Sequence, residues 1–178
     1  MRSLRTRLNA YLALALTVVF ALQWLIVNFA IRRISDNYVY SRLEHDADSI
    51  AASLRISSQG DILYSPRRTG LVFEQPFSGH YFEVNSGGAA LRSRSLWDEQ
   101  LPGSAVAPGE TRRLRHDGPN AQPLLVLVRG FQLQGHAVTI TVAEDMTEIN
   151  ADIRQFQFNY LVLSGIALCI APNSLDTR

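Results

Sequence analysis

Apolar and polar positions change rhythm several times along this chain, and each change marks an element. From Leu8 to Ile31 there are 24 residues without a charge, and roughly 20 suffice for a helix to cross a hydrocarbon core. The run predicts a transmembrane helix over residues 8–31. A cleaved signal peptide also begins with basic residues, as Arg2, Arg5 and Arg7 do here. Its apolar region, however, is only about 7 to 15 residues long and closes on small residues. This run closes on Asn28-Phe29-Ala30-Ile31-Arg32-Arg33, so an uncleaved anchor is expected. Three arginines precede the run and two follow it, a slight bias that favours a cytoplasmic N-terminus over residues 1–7.

The helical rhythm then continues in amphipathic form. Ile34 to Leu54 contains no Gly or Pro and sets Leu43, Ala47, Ile50 and Leu54 at helical spacing, with Asp36, Glu44, Asp46 and Asp48 elsewhere around the helix. Short segments at Ile62–Ser65, His80–Asn85, Leu91–Trp97 and Thr111–His116 follow, punctuated by Gly60-Asp61, Gly87-Gly88, Pro102-Gly103, Pro108-Gly109 and Gly118-Pro119. Leu124–Phe131 and His136–Ala143, joined around Gly135, predict a β-hairpin. Asp145-Met146-Thr147-Glu148 has the spacing of a capping box, and Ile149, Ile153, Phe156 and Tyr160 fall on one face of the helix it starts. Helix, antiparallel strands, helix is the order of an α+β domain, expected over residues 32–154 and held to the membrane at both ends.

The last apolar run, within residues 155–171, is short. Its twelve strongly apolar residues, Tyr160 to Ala171, rise only about 18 Å as a helix against a core of roughly 30 Å. The tail 172–178 begins with Pro172 and lacks the basic cluster of a cytoplasmic exit. A partial second membrane helix followed by a truncated or frameshifted tail is expected, the alternative being a short interfacial or core helix.

Composition narrows the function classes. Seventeen basic residues, all Arg, face 16 acidic ones for a net charge of +1, which argues against nucleic acid as a partner. The single Cys169 lies in the last apolar run, leaving the globular part no thiol for a disulfide, a metal or nucleophilic catalysis. His45, His80, His116 and His136 are scattered singly, without the spacing of a helical zinc site, and an exposed lone histidine is the expectation for each. A pair brought together by folding could still sense pH. Neither a nucleophile elbow nor a phosphate loop is present, so no catalytic residues are assigned.

The arrangement resembles a known class. Its membrane helix, helix-flanked sheet and second apolar run, with the strings Gln75-Pro-Phe-Ser-Gly-His-Tyr-Phe82, Leu91-Arg-Ser-Arg-Ser-Leu-Trp97 and Val138-Thr-Ile-Thr-Val-Ala-Glu-Asp145, are similar to the sensory half of periplasmic-sensing bacterial histidine kinases of two-component systems. The likeness is to the PhoQ-like group with a PAS-like extracytoplasmic sensor, and it covers the chain up to Ala171. It implies an inner-membrane homodimer with its sensor in the periplasm. It also implies a full-length parent with ATP- and Mg-dependent protein-histidine kinase activity, acting on a response regulator through a kinase core. Here the chain departs from the family. The HAMP linker, phosphoacceptor helix and ATP-binding domain have no counterpart in these residues, and this chain alone is expected to be no enzyme and to bind no cofactor. His45-Asp46 is similar to a phosphoacceptor pair but lacks the Pro that usually follows, and reads as a solvated helix face. The same input module also serves chemoreceptors and cyclic-dinucleotide enzymes, and a small bitopic envelope protein that only binds a partner is the third class.

Two sets of residues are candidate sites. Arg92 and Arg94 in one predicted strand and Arg112, Arg113 and Arg115 in another would bind an anion if neighbouring pleats brought their guanidinium forks together. The alternative is a solvated strand face balanced by Asp98, Glu99, Glu110 and Asp117. In the first membrane helix, Ala13, Thr17 and Ala21 repeat every four residues and Asn28 lies near the same face, a stripe suited to close helix–helix approach in a homodimer. Ser78, Gly79 and His80 are expected to form a packing turn rather than a ligand contact.

Overall fold

The computed structural model describes residues 4–57, 61–65 and 70–173. Arg2, Gly60 and the tail from residue 174 lie outside the described residues, as does the side chain of Cys169. The fold is α+β, with two units: residues 1–35 with 149–178, and residues 36–148.

Helix α1, Leu4–Ser53, runs for 50 residues without a break, about 75 Å at the α-helical rise. No Pro or Gly interrupts it, and the character of its surface changes along its length. Leu8, Leu14, Val18, Leu22, Ile26 and Phe29 are exposed in the first part, whereas Val39, Leu43, Ala47 and Ile50 are fully buried in the second. Among the described residues, one helix, this one, is long and apolar enough to cross a membrane.

In the second unit, β1 (Leu54–Ile56) and β2 (Ile62–Tyr64) form a small antiparallel hairpin. The main sheet has five strands: β3 (His80–Ser86), β4 (Ala89–Arg92), β5 (Thr111–Asp117), β6 (Pro123–Leu133) and β7 (His136–Asp145). Their spatial order is β4-β3-β7-β6-β5 and every pairing is antiparallel. The β6–β7 hairpin turns at Gln134-Gly135, both at positive φ, and Leu133 pairs with His136. Gly87-Gly88, at φ 56 and 92, closes the β3–β4 hairpin.

Strand alternation gives the sheet two apolar faces. One carries Tyr81, Leu124, Val126, Val128 and Ala143, and is covered by Leu96, Leu101 and Val106 of the long crossover from β4 to β5. That crossover sits close: Val106 N donates to Thr139 Oγ1 at 3.2 Å and Leu101 N to Glu83 Oε2 at 3.2 Å. A Cβ on Gly130 would lie 2.1 Å from the Ala107 carbonyl oxygen, so only glycine fits there. The other face buries Phe82, Val84, Leu125, Leu127, Ile140 and Val142 and carries the polar contacts to α1 described below.

The predicted strand over Leu91–Trp97 is corrected. Pairing stops at Arg92 and the chain turns into a 3-10 turn at Arg94–Leu96. Serine hydroxyls take over from the ladder: Ser93 Oγ accepts from Phe82 N at 3.0 Å, and Ser95 Oγ donates to the His80 carbonyl at 2.6 Å.

In the first unit, α2 (Thr147–Asn173) is 27 residues long, so the second apolar run belongs to a longer helix than its twelve apolar residues suggest. Asp145 caps it by accepting from Thr147 N at 2.8 Å. The reciprocal half of a capping box is absent, because Asp145 N donates to the Gly79 carbonyl instead.

Candidate functional site

The second unit holds α1 against its sheet through a seam of charged side chains. Asp36, Tyr40, Glu44 and Asp48 recur every four residues and so line one side of the helix. They meet β5 and its neighbour β6: Asp36 pairs with Arg115, Glu44 with Arg113 at 2.9 Å, and Asp48 with Arg129 at 2.9 Å. Tyr40 OH donates to the Leu114 carbonyl at 3.2 Å, and the Arg113 guanidinium stacks 4.8 Å from the Tyr40 ring. Burial pushes the Tyr40 hydroxyl pKa up, with Arg115 opposing. These three ion pairs are solvent-accessible, and each stabilises by no more than about 1 kcal/mol.

Farther across the sheet the seam is drier. Arg42 Nε donates to Glu144 Oε2 at 2.8 Å, and a second contact joins Arg42 Nη2 to Glu144 Oε1. Glu144 is only 3% exposed, so this forked pair satisfies a carboxylate that water scarcely reaches. His80 is Glu144's partner in the β3–β7 register, half-buried, with the Phe73 ring edge-on 6.4 Å away. Asp46, one helical turn beyond Arg42, is half-buried beside it. Burial raises the Asp46 carboxyl pKa, opposed by His80, Arg42 and His45. Burial lowers the His80 imidazole, Arg42 adds to that, and Asp46 and Asp145 oppose it.

This cluster corrects two sequence expectations. His80 is not an exposed lone histidine, and Asp46 is not on a fully solvated helix face. The turn before His80 does form: Ser78 Oγ accepts from His80 N at 3.3 Å. Sequence reasoning missed the cluster because its members come from α1, β3 and β7, which only the sheet register brings together. The available signal was the buried-face period of α1, which places Arg42 and Asp46 flanking Leu43 and Ala47.

The two arginine sets are not brought together. Arg92 is in β4 and Arg112, Arg113 and Arg115 are in β5, at opposite edges of the sheet with three strands between them. Each arginine of the two sets has a carboxylate neighbour: Arg92 has Glu83 at 3.4 Å, Arg94 has Glu74 at 3.9 Å, and Arg112 has Glu110 at 2.7 Å. Arg112 also lowers the Glu110 pKa by hydrogen bonding. An anion would have to displace these partners.

The small-residue stripe lies in the first unit, and part of it meets the chain's own second helix. Thr17 and Ala21 border an apolar hollow with Trp24, Tyr160 and Ser164, and Asn28 Oδ1 accepts from Gln157 Nε2. Thr17 Oγ1 turns inward to the Ala13 carbonyl at 2.8 Å, and Ala13 is half-buried. Among the described residues, the buried side-chain polar atoms without a partner are Trp24 Nε1 and Tyr160 OH, both in this unit. No group of His, Cys, Asp and Glu able to hold a metal ion occurs among the described residues.

No family model matches the chain, and no solved structure matches it. Among curated proteins it is 28% identical over 177 residues to the sensor protein kinase CarS of Pseudomonas aeruginosa, an alignment covering 96% of this chain and 38% of that protein. The chain thus spans well under half the length of the relative it matches. A likeness that runs through both apolar helices and the whole sheet unit supports the reading of this chain as the N-terminal sensory region of a sensor histidine kinase.

Proposed function

We propose that the chain is the membrane-anchored, extracytoplasmic signal-sensing module of a two-component sensor histidine kinase. The observation that carries this reading is the similarity to a sensor protein kinase over 96% of the chain. Two structural features support it. The sheet order, written by position among its own strands, is 2-1-5-4-3 with a long helix preceding it, which favours the PAS-like reading. In addition, α1 is one unbroken helix from the apolar run to the buried stripe at Val39–Ile50, so a change at the sheet face reaches the apolar segment without crossing a loop.

In this reading the unit of residues 36–148 faces the periplasm and the apolar helices lie in the inner membrane. Two copies associate as a homodimer, and ATP- and Mg-dependent phosphorylation and the response regulator belong to the kinase core of a longer protein. A chimaera in which this chain replaces the matching region of CarS tests the reading. Membrane-inserted chimaera that autophosphorylates, and whose output changes when the α1 seam is mutated, is the expected result. Inserted chimaera whose output ignores every seam variant would contradict it.

A further inference from the structure

The α1 seam is built of carboxylates and guanidiniums, Asp36, Glu44, Asp48, Arg42, Arg113, Arg115 and Arg129. His80 adds an imidazole, the side chain that ordinarily changes charge between about pH 5 and 8. Arg42 and Asp46 act on it from α1, Glu144 is its register partner in β7, Asp145 next to Glu144 acts on it electrostatically, and the uncharged Phe73 ring lies edge-on from the turn before β3. Its backbone is pinned by Ser78 and Ser95, so the ring cannot leave the cluster by a shift of the strand.

We propose that the His80 cluster is an acid-sensing switch in which a proton taken up by the His80 imidazole weakens the Arg42–Glu144 pair and loosens α1 from the sheet. This deepens the sensory reading and rests on it, naming the proton as a stimulus. The step is simple proton binding from water. A neutral imidazole leaves Glu144 wholly to Arg42. An imidazolium instead places a second cation beside Arg42, repels it, and competes for Glu144 and Asp46.

The direction follows from linkage. With the seam closed, burial and Arg42 hold the His80 pKa below its ordinary value, whereas release of α1 removes both causes. The released state therefore binds more protons as pH falls through about 6.5, and acidification favours release. Asp46 works the other way, because burial raises its carboxyl in the closed seam. Its proton uptake favours closure and so opposes that of His80.

Hydrogen exchange of the full chain in lipid nanodiscs, followed over residues 39–50 of α1 and corrected for intrinsic rates, tests the switch. Between about pH 7.5 and 5.5 protection of the wild type should fall several-fold, because the released state binds the proton more tightly. His80→Gln should stay protected at both pH values, and His45→Gln should respond like the wild type. Asp46→Asn removes an anion that favours the imidazolium and should move the response to lower pH. A wild type without the loss, or a His80→Gln protein with the same loss, overturns the proposal. Should His80→Gln already be unprotected at neutral pH, Asp46→Asn decides, and an unmoved midpoint overturns it. These readouts need neither kinase output nor a known orientation. A cytoplasmic sheet unit would sink the sensory reading while leaving the proton response standing.

Discussion

The two units of this chain share one helix but obey different packing rules. Residues 36–148 close an apolar core on both faces of a sheet, and the buried polar groups described in that unit find partners, as Glu144 does with Arg42 and Glu83 with Leu101 N. The described residues of the other unit, 4–35 and 149–173, do the reverse. Large apolar side chains point outward along both helices, and the buried Trp24 Nε1 and Tyr160 OH lack partners among the described residues. Along α1 the change falls between Phe29, 67% exposed, and Val39, 0% exposed. The contrast teaches that one continuous helix follows two patterns of burial, apolar side chains outward along its first stretch and against a sheet along its second.

Matched substitutions on either side of that boundary should break the comparison if it is false. Leu43→Ala opens a cavity in the sheet unit and should cost about 2 to 5 kcal/mol by denaturant unfolding. Leu14→Ala, at a position 62% exposed in the first unit, should leave that transition unchanged. Equal losses would mean that both stretches of α1 are packed alike. Next in size is a pair of glycines. Gly130→Ala drives a methyl into the backbone of Ala107, whereas Gly165 has nothing within 4 Å of its Cβ position. The first should destabilise by about 1 to 3 kcal/mol, and Gly165→Ala should leave the sheet unit's melting temperature unmoved.

A third pair sharpens the difference between the dry and wet parts of the seam. Arg42→Ala strands the buried Glu144 and should cost roughly 1 to 3 kcal/mol, with little relief from salt. Arg113→Ala breaks an exposed pair and should cost under about 1 kcal/mol, a loss that shrinks as salt is added. The smallest effect belongs to the helices of the first unit. Asn28→Ala removes the Gln157 hydrogen bond and should weaken α1–α2 association by about 0.6 kcal/mol, seen as easier dissociation in mild detergent.

The same contrast explains what the sequence made legible. Period was enough where one solvent boundary sets the pattern: the uncharged run of α1, the stripe at Leu43, Ala47 and Ile50, and the alternating β6–β7 hairpin. Period failed where a segment packs by isolated residues. Leu96, Leu101 and Val106 cover a sheet face without regular spacing, and Ser93 and Ser95 end a strand by hydroxyl bonds that a hydropathy pattern does not register. Sheet order failed too, because edge positions follow from topology. Arg92 and Arg112 therefore read as neighbours although they sit at opposite edges, and the approach of His80 to Arg42 and Asp46 could not be seen.

The central claim is that the sheet unit is a sensor displayed outside the cytoplasm by α1. A reporter that is active only outside the cytoplasm, fused after Gly88 in the exposed β3–β4 turn, tests it directly. The account predicts an active reporter there and an inactive cytoplasm-only reporter at the same site; activity of the cytoplasm-only reporter, with silence of the other, would contradict it.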